Sequence, residues 1–477
     1  MTPAQREAVR DAARYLRQIR PIDPAAVTEY VEGQPHPAAV RRVLREDAPT
    51  LGLIEREDGT FVPVGEAPIE PLDGPVEALP ERYDRVVAGR LADRFGPDWA
   101  TGEPGEELRE AIRQLKADYY RNRDVAYGPT AALGYAVYHL ADYYAAVQYV
   151  LSTLADRGLL GRTLRVLDVG AGVGGPALGL FDLAGDDALV DYRAIEPSPA
   201  AEVLAALLEA THRNVHWTVD RSTAEAVEPD GPYDVVLFAN VLSELAEPEA
   251  VVERYAEAVS DEGALVLLAP ADRETATQLR EVERAVEAAS GLGVYAPTAR
   301  LWPDERPGDR CWSFDVRPDL AVPETQRALD AAGGGTGEFV NVDVQFAYAV
   351  LRPDAERWLD WTPSADRYAK LADSEAHVTE RVDAAAVKLS HDLSEGGHPL
   401  FLVGDGSQRT DHYAVLARET GLNDDLRTAG YGDGLAFERV LVLWNDDEGA
   451  YNLVVDDETV VDAVPAGAPG NDRREPA

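Results

Sequence analysis

A short stretch rich in glycine carries the clearest chemistry in this sequence. A predicted strand at 164–169 runs into Asp168-Val-Gly170-Ala-Gly172-Val-Gly174, and a predicted helix follows. Glycines permit a tight turn and let a ligand touch the backbone, where a side chain would block it. The third glycine falls two residues after the second, and an acid stands two residues before the first. This spacing favours a cofactor that has no pyrophosphate and carries a positively charged amino-acid group.

The next three predicted strands also end in polar residues. They end at Glu196, Asp220 and Asn240. A carboxylate in the position of Glu196 can accept hydrogen bonds from both hydroxyls of an adenosine ribose, and Asp220 is placed to reach an adenine amino group. Because ligands of open α/β sheets bind outside the carboxyl ends of the strands, we expect these side chains to face one crevice.

Together these features resemble the class I S-adenosylmethionine-dependent methyltransferases. The resemblance implies an α/β fold with a Rossmann-like core and S-adenosylmethionine as the cofactor. Asp168 is expected to organise the amino-acid end of the cofactor, the glycines to form the floor, and Glu196 and Asp220 to hold the ribose and the adenine side. The residues implied in cofactor binding are Asp168, Gly170, Ala171, Gly172, Gly174, Glu196, Pro197, Asp220 and Asn240.

The sequence assigns no catalytic residue. Ala239-Asn240-Val241-Leu242 stands at the end of the fourth strand, where amine methyltransferases carry Asn/Asp-Pro-Pro-Tyr/Phe, and no cysteine is there for a thiolate attack. Methyl transfer is an in-line displacement at a sulfonium, so positioning and desolvation can supply most of the acceleration. A general base is therefore not required by the chemistry.

The surroundings of this core carry a closer resemblance. The stretches concerned are the helical lead-in DYYRNRDVAYGPTAALGYAVYHLADYYAAVQYVLSTL, AIEPSPA, ANVLSEL, the insertion VYAPTARLWPDERPGDRCWSFDVRPD, the strand QFAYAVLRP, and KLSHDLS with GYGD further on. They are similar to the methyltransferase-like family associated with the small ribosomal subunit of mitochondria, bacteria and archaea. The resemblance implies methylation of small-subunit ribosomal RNA, or assembly on it, with that subunit as the partner.

The sequence departs from that family at its cysteines. The family carries four of them for an iron–sulfur cluster, whereas Cys311 is the only cysteine of this chain. Thr298 stands where one is expected in the insertion, and Ser390 or His391 where one is expected near the carboxyl end. We therefore expect no iron–sulfur cluster. A single cysteine also excludes an intramolecular disulfide and a multi-cysteine zinc site. We expect no metal elsewhere, because the histidines at 391, 398 and 412 fit no compact ligand motif.

The charge balance of the chain is strongly acidic. Asp and Glu number 86 against 45 Lys and Arg, which gives a net charge of −41, and only three of the 45 basic residues are lysines. Such a charge is tolerable in concentrated salt, where the Debye length falls to about 3 Å at about 1 M. The composition resembles that of halophile proteins that work in high salt. Without a signal peptide or a long apolar run, we expect a cytoplasmic protein with no membrane partner.

Four domains are predicted along the 477 residues. They are a winged-helix-like domain at 1–65, a helical lead-in at 80–158, the cofactor-binding core at 159–355 and a β-rich, OB-like domain at 366–465. On the third helix of the first domain, Arg41, Arg42 and Arg45 are placed as in a nucleic-acid reader. The alternative is that these arginines form a solvated face and that the hairpin only packs on a neighbour.

Three functions fit these observations. The first is a methyltransferase that acts on small-subunit ribosomal RNA, and the second is a non-catalytic ribosome-assembly factor that binds the cofactor and RNA. The third is a methyltransferase that acts on a small molecule. The appended domains disfavour the third function, because a small substrate needs neither a winged helix nor a base-stacking barrel. The sequence leaves the target atom and the oligomeric state undetermined.

Overall fold

The computed structural model describes residues 1–120, 128–308, 312–354 and 356–467. The chain divides into two compact units. The first unit comprises Met1–Leu237 and Asp319–Val342, and the second comprises Phe238–Pro318 and Asp343–Ala477. Within the described residues, no helix combines the length and the apolar character that crossing a membrane requires. The four predicted domain boundaries stay predictions.

The elements of the described residues alternate between helices and strands. In chain order the α-helices are α1 (Pro3–Leu16), α2 (Pro24–Thr28), α3 (Pro37–Glu46), α4 (Ala48–Leu51), α5 (Glu81–Phe95), α6 (Gly102–Tyr120), α7 (Pro129–Ala155), α8 (Gly175–Ala184), α9 (Ala200–Leu208), α10 (Pro248–Ala256), α11 (Arg273–Ser290), α12 (Glu324–Ala332) and α13 (Asp425–Thr428). The strands are β1 (Leu53–Glu55), β2 (Phe61–Pro63), β3 (Thr163–Val169), β4 (Leu189–Ile195), β5 (Val215–Asp220), β6 (Tyr233–Ala239), β7 (Val259–Pro270), β8 (Gly293–Ala296), β9 (Asp315–Arg317), β10 (Val344–Arg352), β11 (Arg381–Lys388), β12 (Leu400–Gly404), β13 (His412–Leu416), β14 (Gly434–Asn445), β15 (Ala450–Val455) and β16 (Val460–Val464). The fold is therefore mixed α/β.

Helices α1 to α4 and the antiparallel pair β1–β2 form an amino-terminal module. Local sequence starts its helices: the side chains of Thr2, Asp23 and His36 accept hydrogen bonds from the first turns of α1, α2 and α3. In each case a proline follows at the first helical position, where its missing N–H costs nothing. One apolar cluster joins the three helices to the hairpin. The description of this module as a winged helix stays a prediction.

The arginines of α3 are engaged within the module. Arg41 and Arg45 both bind the carboxylate of Glu55 on β1, with the Nε of Arg45 2.7 Å from Oε2. The Glu55 side chain is only 1% exposed, so its charge depends on these two partners. Arg42 pairs with Glu46 one turn along the helix, at 2.6 Å. These contacts favour a structural role for the three arginines over a role in binding nucleic acid.

The hairpin of this module packs on the neighbouring sheet of the same unit. The backbone N–H of Glu55 donates to Asn214 Oδ1 at 2.7 Å, and Asn214 Nδ2 donates back to the Glu55 carbonyl at 3.2 Å. Ala48, Ile54 and Leu189 form a small apolar cluster there. The amide pair and the cluster attach the module to the amino-terminal ends of β4 and β5, where Asn214 and Leu189 lie.

Strands β3, β4 and β5 are parallel neighbours in the first unit, and the sheet order is β5-β4-β3-β6. Helix α8 connects β3 to β4, and α9 connects β4 to β5. The register sets Val169 beside Ile195, and Ile195 beside Asp220. The carboxyl ends of the three strands therefore lie on one line, as a Rossmann-like core requires. This part of the predicted fold class is confirmed.

The second unit contains an antiparallel sheet in the order β7-β10-β8, with β9 also paired to β10. Arg280 of α11 is almost fully buried against this sheet. Its guanidinium pairs with Glu283 and donates to the Tyr348 carbonyl of β10. A buried arginine of this kind is stable only because both partners are supplied at once.

Strands β11 to β15 close into a small barrel in the same unit. The order is β11-β12-β13-β15-β14, with β14 returning to pair with β11 and β16 added on β14. Strands β13 and β15 are parallel, and the other neighbours are antiparallel. This is the connectivity of an OB fold, with α13 between the third and fourth strands. The predicted β-rich domain is thus a β-barrel.

We predict that Glu55→Gln weakens the amino-terminal module. Glutamine keeps the shape of the side chain and the backbone pair with Asn214, but Arg41 and Arg45 lose their anionic partner. Because both arginines are about half exposed and can be hydrated, we expect a loss of about 1–2 kcal/mol in local opening free energy. Hydrogen exchange of the amides of α3 and β1 measures it.

Glu46→Gln is the matched control. Glu46 pairs with Arg6 and Arg42, and all three side chains are exposed, so the expected change is below about 0.5 kcal/mol. Equal losses in the two variants would contradict the role given to Glu55.

Candidate cofactor site

The loop after β3 is held against the end of β4 by backbone hydrogen bonds. The N–H groups of Gly170 and Ala171 donate to the Ile195 carbonyl at 2.9 and 3.2 Å. Gly170, Gly172 and Gly174 have φ values of +71°, +55° and +93°, a region that favours glycine. The predicted glycine turn therefore lies at the carboxyl ends of the strands.

Glycines also allow helix α8 to approach its neighbours closely. A Cβ atom on Gly174 would lie 2.4 Å from Leu204 Cδ1 of α9. A Cβ on Gly175 would lie 3.0 Å from the Leu140 carbonyl of α7, and one on Gly179 would lie 2.3 Å from the Tyr144 carbonyl. The start of α8 is thus packed directly on the backbone of α7.

Asp168 is a buried carboxyl group whose two oxygen atoms differ. The hydroxyl of Tyr192 donates to Oδ2 at 2.7 Å, whereas Oδ1 is buried and has no hydrogen-bond partner among the described residues. Burial raises the pKa of Asp168 to about 7, the Tyr192 hydrogen bond opposes the increase, and the charge of Glu196 adds to it. A buried acceptor without a donor is costly, which makes it a candidate for a bound cation.

Glu196 uses both carboxylate oxygens to shape the loop. Oε2 accepts from the Gly172 N–H at 2.8 Å, and Oε1 accepts from the Ser198 N–H at 2.8 Å. Each oxygen retains a second lone pair for another donor. Pro197 lies between these contacts and is exposed. The proposed contact of Glu196 with a ribose stays a prediction.

Asp220 ends β5 and is held by two donors. Ser222 Oγ donates to Oδ1 at 2.7 Å and Arg193 donates to Oδ2 at 3.1 Å. The Ser222 hydrogen bond lowers the pKa of Asp220, burial opposes this effect, and the hydrogen bond and charge of Arg193 add to the lowering. The Asp220 carbonyl accepts from the Glu196 N–H at 2.9 Å, which ties the two acidic strand ends together.

Asn240 belongs to the second unit and is described there. It follows β6 with a φ of +57°, and its N–H donates to the Leu268 carbonyl of β7 at 2.9 Å. The other predicted residues lie together in the first unit, at the ends of β3, β4 and β5. Sequence reasoning missed Tyr192, Arg193 and Ser198. A tyrosine in a buried parallel strand was the available signal, because its hydroxyl needs a partner.

The positions of the expected cysteines carry hydroxyl groups that are used locally. Thr298 Oγ1 donates to the Tyr295 carbonyl at 3.0 Å and accepts from the Leu359 N–H at 3.1 Å. Ser390 Oγ donates to the His391 carbonyl at 2.8 Å and accepts from the Leu402 N–H at 2.8 Å. Cys311 lies outside the described residues. The described ranges hold no group of three or more metal-ligating side chains.

Three family models match parts of the chain. Residues 139–322 match a methyltransferase domain. Residues 6–57 match the N-terminal domain, and residues 372–464 the C-terminal domain, of a family described as a domain of unknown function. The match to the methyltransferase domain includes β3 to β5 and therefore the glycine loop. No curated protein matches the sequence.

Solved structures of methyltransferases show weak similarity. A putative methyltransferase from Thermoplasma acidophilum is 14% identical, with 41% of this chain and 70% of that chain covered and a TM-score of 0.28. The carbon methyltransferase CurJ is 15% identical, with 73% and 91% covered and a TM-score of 0.31. The plantazolicin methyltransferase BamL is 12% identical, with 57% and 98% covered and a TM-score of 0.28. Scores this low support no conclusion about substrate.

We predict that Asp168 makes stability depend on pH. Its folded pKa of about 7 exceeds the usual value of an aspartate, so protonation favours the folded state at low pH, and this contribution is lost as the pH rises through 7. Asp168→Asn, which stays neutral, should therefore gain melting temperature relative to the wild type between about pH 5 and about pH 8. Thermal unfolding at both pH values measures it.

Asp220→Asn is the control for this experiment. The pKa of Asp220 is lowered, so its contribution to stability is present above the unfolded pKa and is lost only in acid. Replacing Asp220 by the neutral asparagine should give no gain in melting temperature at the higher pH. An Asp168→Asn protein with the same pH dependence as the wild type would refute the assignment.

Proposed function

We propose that the methyltransferase domain at residues 139–322, whose cofactor is S-adenosylmethionine, methylates RNA of the small ribosomal subunit in the cytoplasm of a halophilic cell. The main evidence for the cofactor site is that Asp168 Oδ1 is buried and has no hydrogen-bond donor among the described residues. S-adenosylmethionine brings an α-ammonium group that can supply such a donor and a sulfonium that makes its methyl group electrophilic.

The residues at the strand ends divide the binding of the cofactor between them. Asp168 would accept a hydrogen bond from the ammonium group, and the backbone of the glycine loop would line the amino-acid end. Glu196 has free lone pairs for ribose hydroxyls, and Asp220 lies on the adenine side. The Ile195 carbonyl and Glu196 fix the loop by hydrogen bonds, and such preorganisation lowers the cost of positioning the methyl group.

The barrel supports RNA as the substrate. OB folds bind oligonucleotides at the face of their second and third strands and at the loop between the fourth and fifth. Here the first of these surfaces is partly covered, because Leu402 and Tyr413 pack with Leu301 and Trp302. The second remains accessible: Trp444 is 41% exposed at the β14–β15 loop.

Trp444 is paired with a second aromatic ring. Its ring centroid lies 4.8 Å from that of Tyr451, and its Nε1 donates to Asp446 at 2.9 Å. An indole fixed in this way can stack on a base. The acidic residues of the loop repel phosphates in dilute solution, but concentrated salt shortens the range of that repulsion to a few ångströms, about 3 Å at about 1 M.

Glu196→Ala should weaken cofactor binding at least about tenfold, or about 1.4 kcal/mol, because both the ribose acceptor and the Gly172 contact are lost. Calorimetric titration of S-adenosylmethionine in multimolar KCl measures the dissociation constant. Glu202→Ala, on the exposed first turn of α9, is the matched control and should bind as the wild type does. A folded wild type that does not bind would rule out the site.

The RNA proposal is tested with small ribosomal subunits in multimolar KCl. Particles isolated from cells that lack this protein should accept labelled methyl groups into their RNA from S-adenosylmethionine. Trp444→Ala should reduce the labelling about 5- to 100-fold at limiting particle concentration, by the usual loss from one stacked base. Tyr30→Ala, an exposed aromatic of the amino-terminal module, should have no effect.

The alternatives give different results in the same experiment. Co-sedimentation with the particles without labelling would indicate a non-catalytic assembly factor. A protein that neither binds the particles nor labels their RNA, but transfers labelled methyl groups to compounds in a small-molecule extract, would be a small-molecule methyltransferase. Either result would overturn the proposed substrate and activity on RNA.

A further inference from the structure

A histidine on α7 lies inside a cage of aromatic rings. The ring of Tyr143 stacks on His139 with centroids 5.0 Å apart and planes at 9°. Tyr135 is tilted against the same ring at 5.0 Å, and Tyr138 meets it edge-on at 4.9 Å. We call His139 and these three tyrosines the histidine cage. Rings on three sides hold the imidazole in one orientation.

Hydrogen bonds determine which nitrogen of His139 carries a proton. Nδ1 lies 3.1 Å from Asp142 Oδ2. Asn341 Nδ2 lies 3.0 Å from the Tyr138 carbonyl, 2.9 Å from Asp142 Oδ2 and 3.2 Å from His139 Nδ1, and we assign its two hydrogens to the two shorter contacts. The arrangement is satisfied when Nδ1–H of His139 donates to Asp142, which leaves Nε2 as an acceptor. The described residues offer Nε2 no hydrogen-bond partner, and the side chain is 27% exposed.

The surroundings of Asp142 hold its carboxyl group in position to accept from His139. Its Oδ1 accepts from the Tyr143 N–H at 3.0 Å, so both oxygens are occupied and the carboxyl group is nearly buried. Burial raises the pKa of Asp142, and His139, Asn341 and the Tyr143 N–H act against that increase. Gln326 in turn holds Asn341, accepting its N–H at 2.9 Å. The network is therefore a histidine–carboxylate pair that Asn341 and Gln326 hold in place by hydrogen bonds.

The packing of α7 on α8 places the cage at the cofactor loop. Leu140 of α7 is level with Gly175, and Tyr144 is level with Gly179, so the two helices run in the same direction. His139 precedes Leu140 by one residue and is therefore level with the end of the glycine loop. The first half of α7 continues past the amino-terminal end of α8, on the side where the strand ends lie. In this fold the reacting atoms meet on that side.

We propose that His139 is the general base of the methyl transfer, that Asp142 is its positioning residue, and that the acceptor atom is an oxygen or nitrogen bearing a proton. The inference rests on the proposed function and specifies its substrate class. In RNA such acceptors are the ribose 2′-hydroxyl and the N–H groups of the bases. An acceptor atom that carries no proton, such as an unprotonated ring nitrogen of a base, would not need this pair.

The step balances without a further reactant. The acceptor attacks the methyl carbon of S-adenosylmethionine, its proton moves to Nε2 of His139, and the carbon–sulfur bond breaks. The electron pair of that bond stays on sulfur, which becomes the neutral thioether of S-adenosylhomocysteine. The imidazolium is stabilised by Asp142 and afterwards loses its proton to solvent. General base catalysis of this kind contributes about 10²- to 10⁴-fold.

A lysine of a neighbouring helix also lies against the histidine cage. Lys116 of α6 lies 3.9 Å from the centre of the Tyr138 ring and donates to the Glu338 carbonyl at 2.7 Å. Burial lowers the pKa of Lys116, and the charge of Glu338 opposes this effect. Among the described residues, Asp142 is therefore the carboxylate that contacts the imidazole. If the pair only anchored α7, its loss would change stability and leave the chemistry intact.

The test uses the full chain with histidine labelled by ¹⁵N and ¹³C and S-adenosylmethionine carrying a ¹³C methyl group. Two spectroscopic results are expected: an Nδ1-protonated tautomer for His139, and a nuclear Overhauser effect between its ring and the cofactor methyl. His139→Gln identifies the signals by removing them. Asp142→Asn should change the tautomer while the affinity for S-adenosylmethionine stays within about threefold.

Turnover supplies the second result. His139→Gln should reduce labelling of small-subunit RNA by about 10²- to 10⁴-fold with unchanged cofactor affinity. His398→Gln, an exposed histidine of the second unit, is the matched control and should keep full activity. A ring that shows no Overhauser effect, or a His139→Gln enzyme within about threefold of the wild type, would overturn the proposal. If the wild type labels no RNA, the RNA substrate fails, and the spectra still decide the role of His139.

Discussion

The close packing of α7 on α8 is the contact on which the rest of the first unit depends. A Cβ atom at Gly179 would lie 2.3 Å from the Tyr144 carbonyl, closer than any side chain allows, and one at Gly175 would lie 3.0 Å from the Leu140 carbonyl, a tighter contact than side chains usually make. The start of α8 is also the end of the glycine loop, so the same contact holds the loop and the first half of α7 in a fixed relation. The candidate cofactor site and the histidine cage therefore both depend on the packing of α7 on α8, and a shift of α7 would disturb both.

Buried charge is handled in the same way at several points of the molecule. Glu55 is held by two arginines, Asp142 by an imidazole and an amide, and Arg280 by a carboxylate and a carbonyl. Lys388 of the barrel donates to the carbonyls of Leu426 and Ala429 at 2.9 and 2.7 Å. Each charge has at least two partners, because an unpaired charge is expensive to bury. Asp168 differs, since one of its oxygens is left without a donor among the described residues.

The acidic composition and these buried networks serve different purposes. Most of the 86 carboxylates have nothing to do with the site, and they account for the net charge of −41. Charge of that size acts through the whole surface and is screened by salt, whereas a buried pair is screened little. The arginines of α3 illustrate the difference. From the sequence, these arginines could bind a nucleic acid, but in the structure they form ion pairs with Glu55 and Glu46.

Much of the fold and part of the site followed from local sequence. The strand-to-glycine transition at Asp168 and the acid at Glu196 are short-range patterns, and the structure has the corresponding strands there. Alternating strands and helices likewise indicated the core, and the series of short strands indicated a β-rich domain. Such patterns are readable because backbone geometry restricts which residues can occupy a turn, a cap or a buried strand.

Partners far apart in the chain were decided by the tertiary structure alone. Nothing near His139 in the sequence indicated that Asn341 would complete its pair with Asp142, because 202 residues separate the two. The unpartnered oxygen of Asp168 and the closure of the barrel by β11 and β14 are equally invisible in a local pattern. Sequence determined which elements form and which residues can do chemistry. The tertiary structure decided which of them meet, since hydrogen bonds and packing act over a few ångströms in space, whatever the distance along the chain.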